Sequence, residues 1–278
     1  GDVVYESGPS FEHALVEIGH YPEGRSENKG VEPESGTFDT FGDTLTYSGI
    51  ENAAWAGGLT GRIERGELGP ADDIVYAVQG NILSGGNVVQ AAVDAIGSGE
   101  GSIAIAPGTY RQCAVQQAGR IAFLASEPGS AEFTGTACEG KAALVLRGRG
   151  ATVDGLVFAD LAVDDGNGAG IRLEQGPLRV SQSWFRDSQQ GILTANDANG
   201  DIVIDKSTFS RLGTCENSAG CAHSIYAGDY GTVTVTRSRF EQGTGGHYLK
   251  SRASRTVVED SSFDDSQGRA TNYLIDLP

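Results

Sequence analysis

Lys250, Arg252 and Arg255 place three cations close together in a chain that carries 20 Lys+Arg against 37 Asp+Glu. A basic island in a chain of formal net charge −17 is a candidate anion site, because exposed charges beyond about 10 Å are largely screened and a local patch acts on its own. Tyr226, Tyr248, Tyr273, Arg269 and the pair His223 and His247 lie near it in sequence. These residue types fit one reaction, the β-elimination of a uronate-containing polysaccharide. A cation neutralises the carboxylate, a base takes the proton beside it, and an acid protonates the leaving oxygen. On this reading Arg252 or Arg269 fills the first role, Lys250 the second, and Tyr226 or Tyr248 the third. Tyrosine rings also offer flat platforms for sugars. The competing reading is that the cations decorate a solvated face and the tyrosines cover a sheet.

Such residues can share a face only if the chain repeats, and it does. Ser-x-Phe occurs at Ser183–Phe185, Ser207–Phe209, Ser238–Phe240 and Ser261–Phe263, with Phe spacings of 24, 31 and 23. A degenerate copy ends at Phe158, 27 residues before Phe185. Five residues before each Phe stands a β-branched residue: Val153, Val180, Ile204, Val235, Val258. Around it the pattern alternates with period 2, as in Thr232-Val233-Thr234-Val235-Thr236, which marks a strand with one buried face. A second strand follows each Phe, at Gly170–Leu173, Gly191–Thr194, Ser224–Ala227, Tyr248–Ser251 and Tyr273–Asp276. Two or three short strands per coil of about 24 residues, stacked in register, predict an all-β parallel β-helix. Ser at a fixed place predicts a hydrogen-bonded ladder at one corner. A β-sandwich would instead show recurrent hairpin turns such as Asn-Gly.

Aligning the second strands on Ile171, Ile192, Ile225, Leu249 and Leu274 predicts two outward columns. One is Arg172, Leu193, Tyr226, Lys250, Ile275. The other is Gly170, Gly191, Ser224, Tyr248, Tyr273. Ser224, Tyr226, Tyr248, Lys250, Arg252 and Tyr273 then form one exposed patch, with Arg255 and Arg269 at its edges. Arg172, Ser224, Tyr273, Arg255 and His223 are the expected substrate contacts, and His247 joins the catalytic candidates. His223, His247 and Asn272 align one coil apart. They read as a stacked polar ladder, or as a His pair that orients a tyrosine or binds a metal.

Upstream, residues 87–96 carry Val88, Val89, Ala92, Val93 and Ile96 on one helical face. Such a helix would cover the open end of a solenoid. Gly101-Ser-Ile-Ala-Ile-Ala-Pro-Gly-Thr-Tyr110 reads as the first full coil. This entry resembles that of the right-handed parallel β-helix superfamily that includes pectate lyases, over residues 84–278. The superfamily holds lyases, hydrolases, esterases, epimerases and inert adhesins, so the resemblance implies a fold. His247-Tyr248-Leu249-Lys250-Ser251, with Arg269 about a coil later, resembles the Lys-Ser and downstream Arg of the chondroitinase B and alginate lyase family. That resemblance implies a polysaccharide lyase and raises Ca2+ as a cofactor, although the family's acidic calcium cluster finds no counterpart here.

Residues 1–83 read as an irregular flank packing along the solenoid, with candidate strands in 36–47 and 58–65. No apolar run reaches the ~18 residues of a membrane helix. The acidity argues against nucleic acid as a partner. A chain that begins at Gly1, lacks Met and has four Cys reads as a processed chain from an oxidising, extracytoplasmic setting. Cys113 and Cys138 stand one coil apart and Cys215 and Cys221 bracket an insertion, so these two pairs are the expected disulfides. Asn196-Asp-Ala-Asn-Gly-Asp201 and Asp164-Asp-Gly-Asn167 read as turns, since the first lacks the closing Glu of a calcium loop. Asp187 and Asp205 are not singled out as a hydrolase pair by their spacing. The segment Ile275–Pro278 follows a strand with no cap, which predicts that more chain or another chain covers that coil. Two functions follow: recognition, with cleavage by β-elimination as its enzymatic form, of an acidic polysaccharide along the Tyr226–Lys250–Tyr273 face; or a non-catalytic surface scaffold that assembles through its last coil.

Overall fold

The computed structural model describes residues 87–216 and 220–278, together with the backbone of seven strands upstream of them. From Glu100 onward the chain winds through seven coils of three short strands each. The fourth coil is representative. Its first strand is Leu178–Ser181, its second Trp184–Arg186 and its third Gln190–Thr194. Each strand pairs in parallel with its equivalent one coil away, so the coils build three parallel sheets, an all-β parallel β-helix. The first sheet continues upstream: Ile74–Val78 pairs in parallel with Glu100–Ile105, and Thr60–Arg65 and Ile50–Ala56 add antiparallel strands beyond it. Ser35–Thr40 and Asp43–Ser48 pair as a hairpin.

The repeat in the sequence is the core in the structure. Val153, Val180, Ile204, Val235 and Val258 are register partners in succession. Phe158, Phe185, Phe209, Phe240 and Phe263 are partners in the second sheet. Phe133 and Tyr110 extend that column by two coils. Neighbouring rings stack at 4.5–5.7 Å and lie within 22° of parallel. A coil cannot bury these side chains by itself, so the stack exists only because neighbours supply the other face.

Two sharp corners fix the length of each coil. Gln182, Lys206, Arg237 and Asp260 take positive φ between the first and second strands. Asp160, Asp187, Arg211 and Gln242 do the same after the second strand. Left-handed backbone is costly outside Gly. Here the N–H of six of these corners is repaid by a carbonyl of the next coil, as in Lys206 to Thr236 and Arg211 to Glu241. The predicted serine ladder sits beside the first corner. The Ser207 hydroxyl accepts from the Ser183 N–H at 3.3 Å and donates to the Asp205 carbonyl at 2.9 Å. Ser238 and Ser261 repeat the pattern.

The helix Val88–Ile96 covers the first coil with the five apolar residues expected, all buried, and Asn87 caps it by accepting from the Gln90 N–H. Disulfides join Cys113 to Cys138 and Cys215 to Cys221, as predicted. Two disulfides suggest an oxidising environment. Among the described residues, no helix is long and apolar enough to cross a membrane.

These contacts set an order of costs. Phe209→Ala should lose about 3–5 kcal/mol, because it opens a cavity in a continuous ring stack. Ser207→Ala should lose about 1–3 kcal/mol, the penalty of an unpartnered Ser183 N–H. Chemical denaturation of both variants checks the order, and a larger loss for Ser207→Ala would mean that the ladder, not the ring column, dominates.

Candidate functional site

The site residues sit on the outward face of the third sheet in the last three coils. The third strands there are Ile225–Ala227, Leu249–Ser251 and Ile275–Asp276. In Ile225–Ala227 and Leu249–Ser251 the first and third residues are buried and the middle one turns outward. The outward column runs Arg172, Leu193, Tyr226, Lys250, Asp276. It departs from the expected column at its end. Leu249 pairs with Ile275 rather than Leu274, so Asp276 replaces Ile275 beside Lys250. The linker before the last strand is longer than its predecessor, which moves the register by one residue.

Tyr226 and Lys250 form the centre. Lys250 Nζ lies 4.6 Å from the centroid of the Tyr226 ring, a cation–π contact. Among the described residues Lys250 makes no salt bridge, whereas Arg252 donates to the Asp276 carboxylate at 2.8 Å. The Arg252 guanidinium beside Asp276 holds that carboxyl below the usual carboxylate range. Arg172 is further along the same column, 3.8 Å from Glu174, and its Nε is buried without a hydrogen-bond partner.

Flanking this column is a stack of three rings. His223 and His247 lie parallel at 4.9 Å, and Tyr273 lies over His247 at 5.4 Å. The predicted ladder is present, with Tyr273 rather than Asn272 as its third member. The His247 N–H donates to His223 Nδ1 at 2.9 Å, and the Tyr273 N–H donates to His247 Nδ1 at 3.1 Å. His247 Nε2 is 3.6 Å from the Asp276 carboxylate. His223 also meets Tyr226 edge-on at 5.5 Å. His223 is 4% exposed, and burial, then Lys250, pushes its pKa down to about 3. Burial lowers His247 as well, with Asp276 opposing.

Other expected members fall elsewhere. Tyr248 and Ser224 are each 1% exposed and face the interior. They precede their strands at a corner where alternation has not begun. In earlier coils Gly170 and Gly191 hold this corner, and a Cβ on Gly170 would come 2.7 Å from the Phe185 ring. Tyr248 fills the space with its own ring, 6.2 Å from Phe240. Its hydroxyl accepts from the Gly243 N–H and donates to Asp265. Burial raises its pKa to about 12. Tyr248 is therefore a core residue, and the acid role expected of it does not fit. Arg255 is on the first sheet, paired with Thr232, and so is not an edge of the patch. Arg269 is exposed in the linker before the last strand, held through its backbone to Gly243.

Asp276 is the member that sequence reasoning missed, and a one-residue register shift was the only signal for it. Exposed Trp184 on the second sheet was also missed as a surface feature. Its indole N–H donates to Ser210 and Arg186 lies over its ring. The acidic turn at 196–201 is spoken for: Asn196, Asp197 and Asp201 accept from the backbone N–H groups of Asp229, Gly176 and Thr232. Asp187 and Asp205 are bound by Arg211 and Arg237. Among the described residues, no group of three or more His, Cys, Asp or Glu is arranged to hold a metal ion. No family model, curated protein or solved structure matches the chain.

The buried histidine makes stability depend on pH. A base with a lowered native pKa binds fewer protons folded than unfolded, so stability is full above about 6.5 and falls as pH drops towards 3. Between pH 6.5 and about 5.5 the carboxylates of the unfolded chain are still almost fully ionised. In that window the unfolding free energy should fall with a slope set by one to two protons, and His223→Gln should flatten it. An unchanged slope in His223→Gln would place the proton uptake elsewhere.

Proposed function

We propose that the protein binds an acidic polysaccharide on the outward face of the third sheet, with Lys250 at the centre of the site. The observation that carries this reading is Lys250 itself. It is a half-buried cation that, among the described residues, forms no ion pair of its own: its register neighbour Asp276 is bound by Arg252, and its ammonium lies on the Tyr226 ring in a chain of net charge −17. Tyr226 and the 67% exposed Tyr273 supply ring faces on either side. Arg172 in the same column supports a second contact further along a linear polyanion.

The same residues fit a β-elimination. Elimination would require Lys250 in its deprotonated form: the ammonium binds the carboxylate, and only the free amine would take the proton at the carbon bearing it. That carbon's electron pair would form the new carbon–carbon double bond as the bond to the linkage oxygen breaks, and that oxygen would leave with a proton from Tyr226. Tyr226 is the phenol that remains at the surface once Tyr248 is assigned to the core. A secreted or cell-surface location agrees with the disulfides. Ca2+ has no assigned ligands on this reading.

One observation favours a second reading, assembly. Tyr273, Leu274, Ile275 and Leu277 are exposed together in the last coil, and Trp184 is the other large exposed apolar side chain among the described residues. The strands Arg255–Glu259, Ser262–Asp264 and Ile275–Asp276 each pair on one side only. Such edges pair readily with other chains.

Ultraviolet absorbance of the unsaturated uronate product, followed over a panel of acidic polysaccharides, separates the cases. A rise on one substrate, lost by at least tenfold in Lys250→Ala with an unchanged far-ultraviolet dichroism spectrum, is the expected result. Binding of a polysaccharide without any rise would leave recognition and remove elimination. No binding at all, with a concentration-dependent mass in sedimentation, would favour assembly.

A further inference from the structure

The histidine stack has an orientation that chemistry fixes. A backbone N–H can only donate, so Nδ1 of His223 and of His247 must each present a lone pair to it. A neutral imidazole then carries its proton on Nε2. Assigning a tautomer usually needs a choice between partners; here the partner leaves none. The rings are parallel within 7°. Their two Nε2–H groups therefore point the same way, one coil apart.

What each group faces differs. His247 Nε2 faces the Asp276 carboxylate. Asp276 is the register partner of Lys250, so at the equivalent place beside His223 the chain supplies an ammonium where His247 has a carboxylate. Among the described residues, His223 Nε2 has no hydrogen-bond acceptor. His223 meets Tyr226 edge-on at 5.5 Å, and Lys250 lies over that same Tyr226 ring.

We infer that His223 is a fixed-tautomer hydrogen-bond donor to the ligand's carboxylate, which it holds together with Lys250 in the manner that His247 and Arg252 hold Asp276. The inference rests on the acidic-glycan reading and narrows it: the group recognised is a planar uronate carboxylate, of which Asp276 is the internal copy. It also sets a role. With Nδ1 occupied by the next coil, neither histidine is a general base. Both are positioning residues whose donor is held in place before the ligand arrives, and a preorganised donor of this kind costs no reorganisation on binding. The low pKa of His223 keeps that donor neutral. The charge opposite the carboxylate is then left to Lys250.

Nitrogen-15 and proton correlation of the imidazole rings tests this in the intact protein. The expected free-state result is the Nε2–H tautomer for both His223 and His247 at pH 8, unchanged for His223 down to pH 5. Titration with a panel of uronate hexasaccharides should move the His223 Nε2 and Hε2 resonances at saturation, while a neutral hexasaccharide should not. His223→Gln, which keeps an amide donor, should retain binding within about threefold. His223→Phe, which keeps the ring stack and removes the donor, should lose about tenfold or more, the range of a hydrogen bond to a charged group. An Nδ1–H tautomer, or saturable uronate binding that leaves His223 Nε2 unmoved, would overturn the inference while the acidic-glycan reading stands. No binding by any uronate hexasaccharide would overturn both.

Discussion

The register between coils is the constraint on which everything else depends. Each residue stands about 4.8 Å from its equivalent in the next coil, because parallel strands pair at that spacing. The core follows from it: rings that could not be buried by one coil become a continuous column of seven, from Tyr110 to Phe263. The corners follow too. Most non-Gly residues in left-handed backbone donate to the coil above, as Gln182, Lys206, Arg237, Asp187, Arg211 and Gln242 do. Strain at any one corner is small against the hydrophobic and hydrogen-bonded stack that holds it.

The same spacing makes the site. The ladder that ties Ser183 to Ser207 ties His223 to His247, with a ring nitrogen in place of a hydroxyl. In the serine ladder the acceptor hydroxyl also donates to its own chain, so the group is fully used. In the histidine ladder the second polar atom, Nε2, is left over, and that of His247 lies 3.6 Å from the Asp276 carboxylate. Beside it, register sets Lys250 over Tyr226 and Asp276 over Lys250. The order phenol, ammonium, carboxylate along one column is a consequence of strand pairing.

The fold was legible in the sequence where coil length is fixed. From the first strand to the Phe, the corner is tight, so Val180 and Phe185 keep a constant spacing that recurs four more times. The three earliest coils lack the Ser-x-Phe triplet, and in the first two Tyr110 and Phe133 carried only the ring spacing as a signal. The site was less legible because the linker from second to third strand varies from three residues (187–189) to fourteen (211–224). Variable linkers hide register, which is why Asp276 was missed and Asn272 stood in for Tyr273. Strict alternation also failed at the corner before each third strand. At the equivalent positions Gly170 and Gly191, early in their strands, are too crowded for a side chain, and Tyr248 points inward where parity predicted outward.

The central claim is that an acidic glycan lies on the outward face of the third sheet with its carboxylate at Lys250. A crystal structure grown with a uronate oligosaccharide tests it most directly. The account predicts sugar over Tyr226 and a carboxylate within hydrogen-bonding distance of both Lys250 Nζ and His223 Nε2. Sugar bound on another face, such as that of Trp184, with the Lys250 column unoccupied, would contradict it.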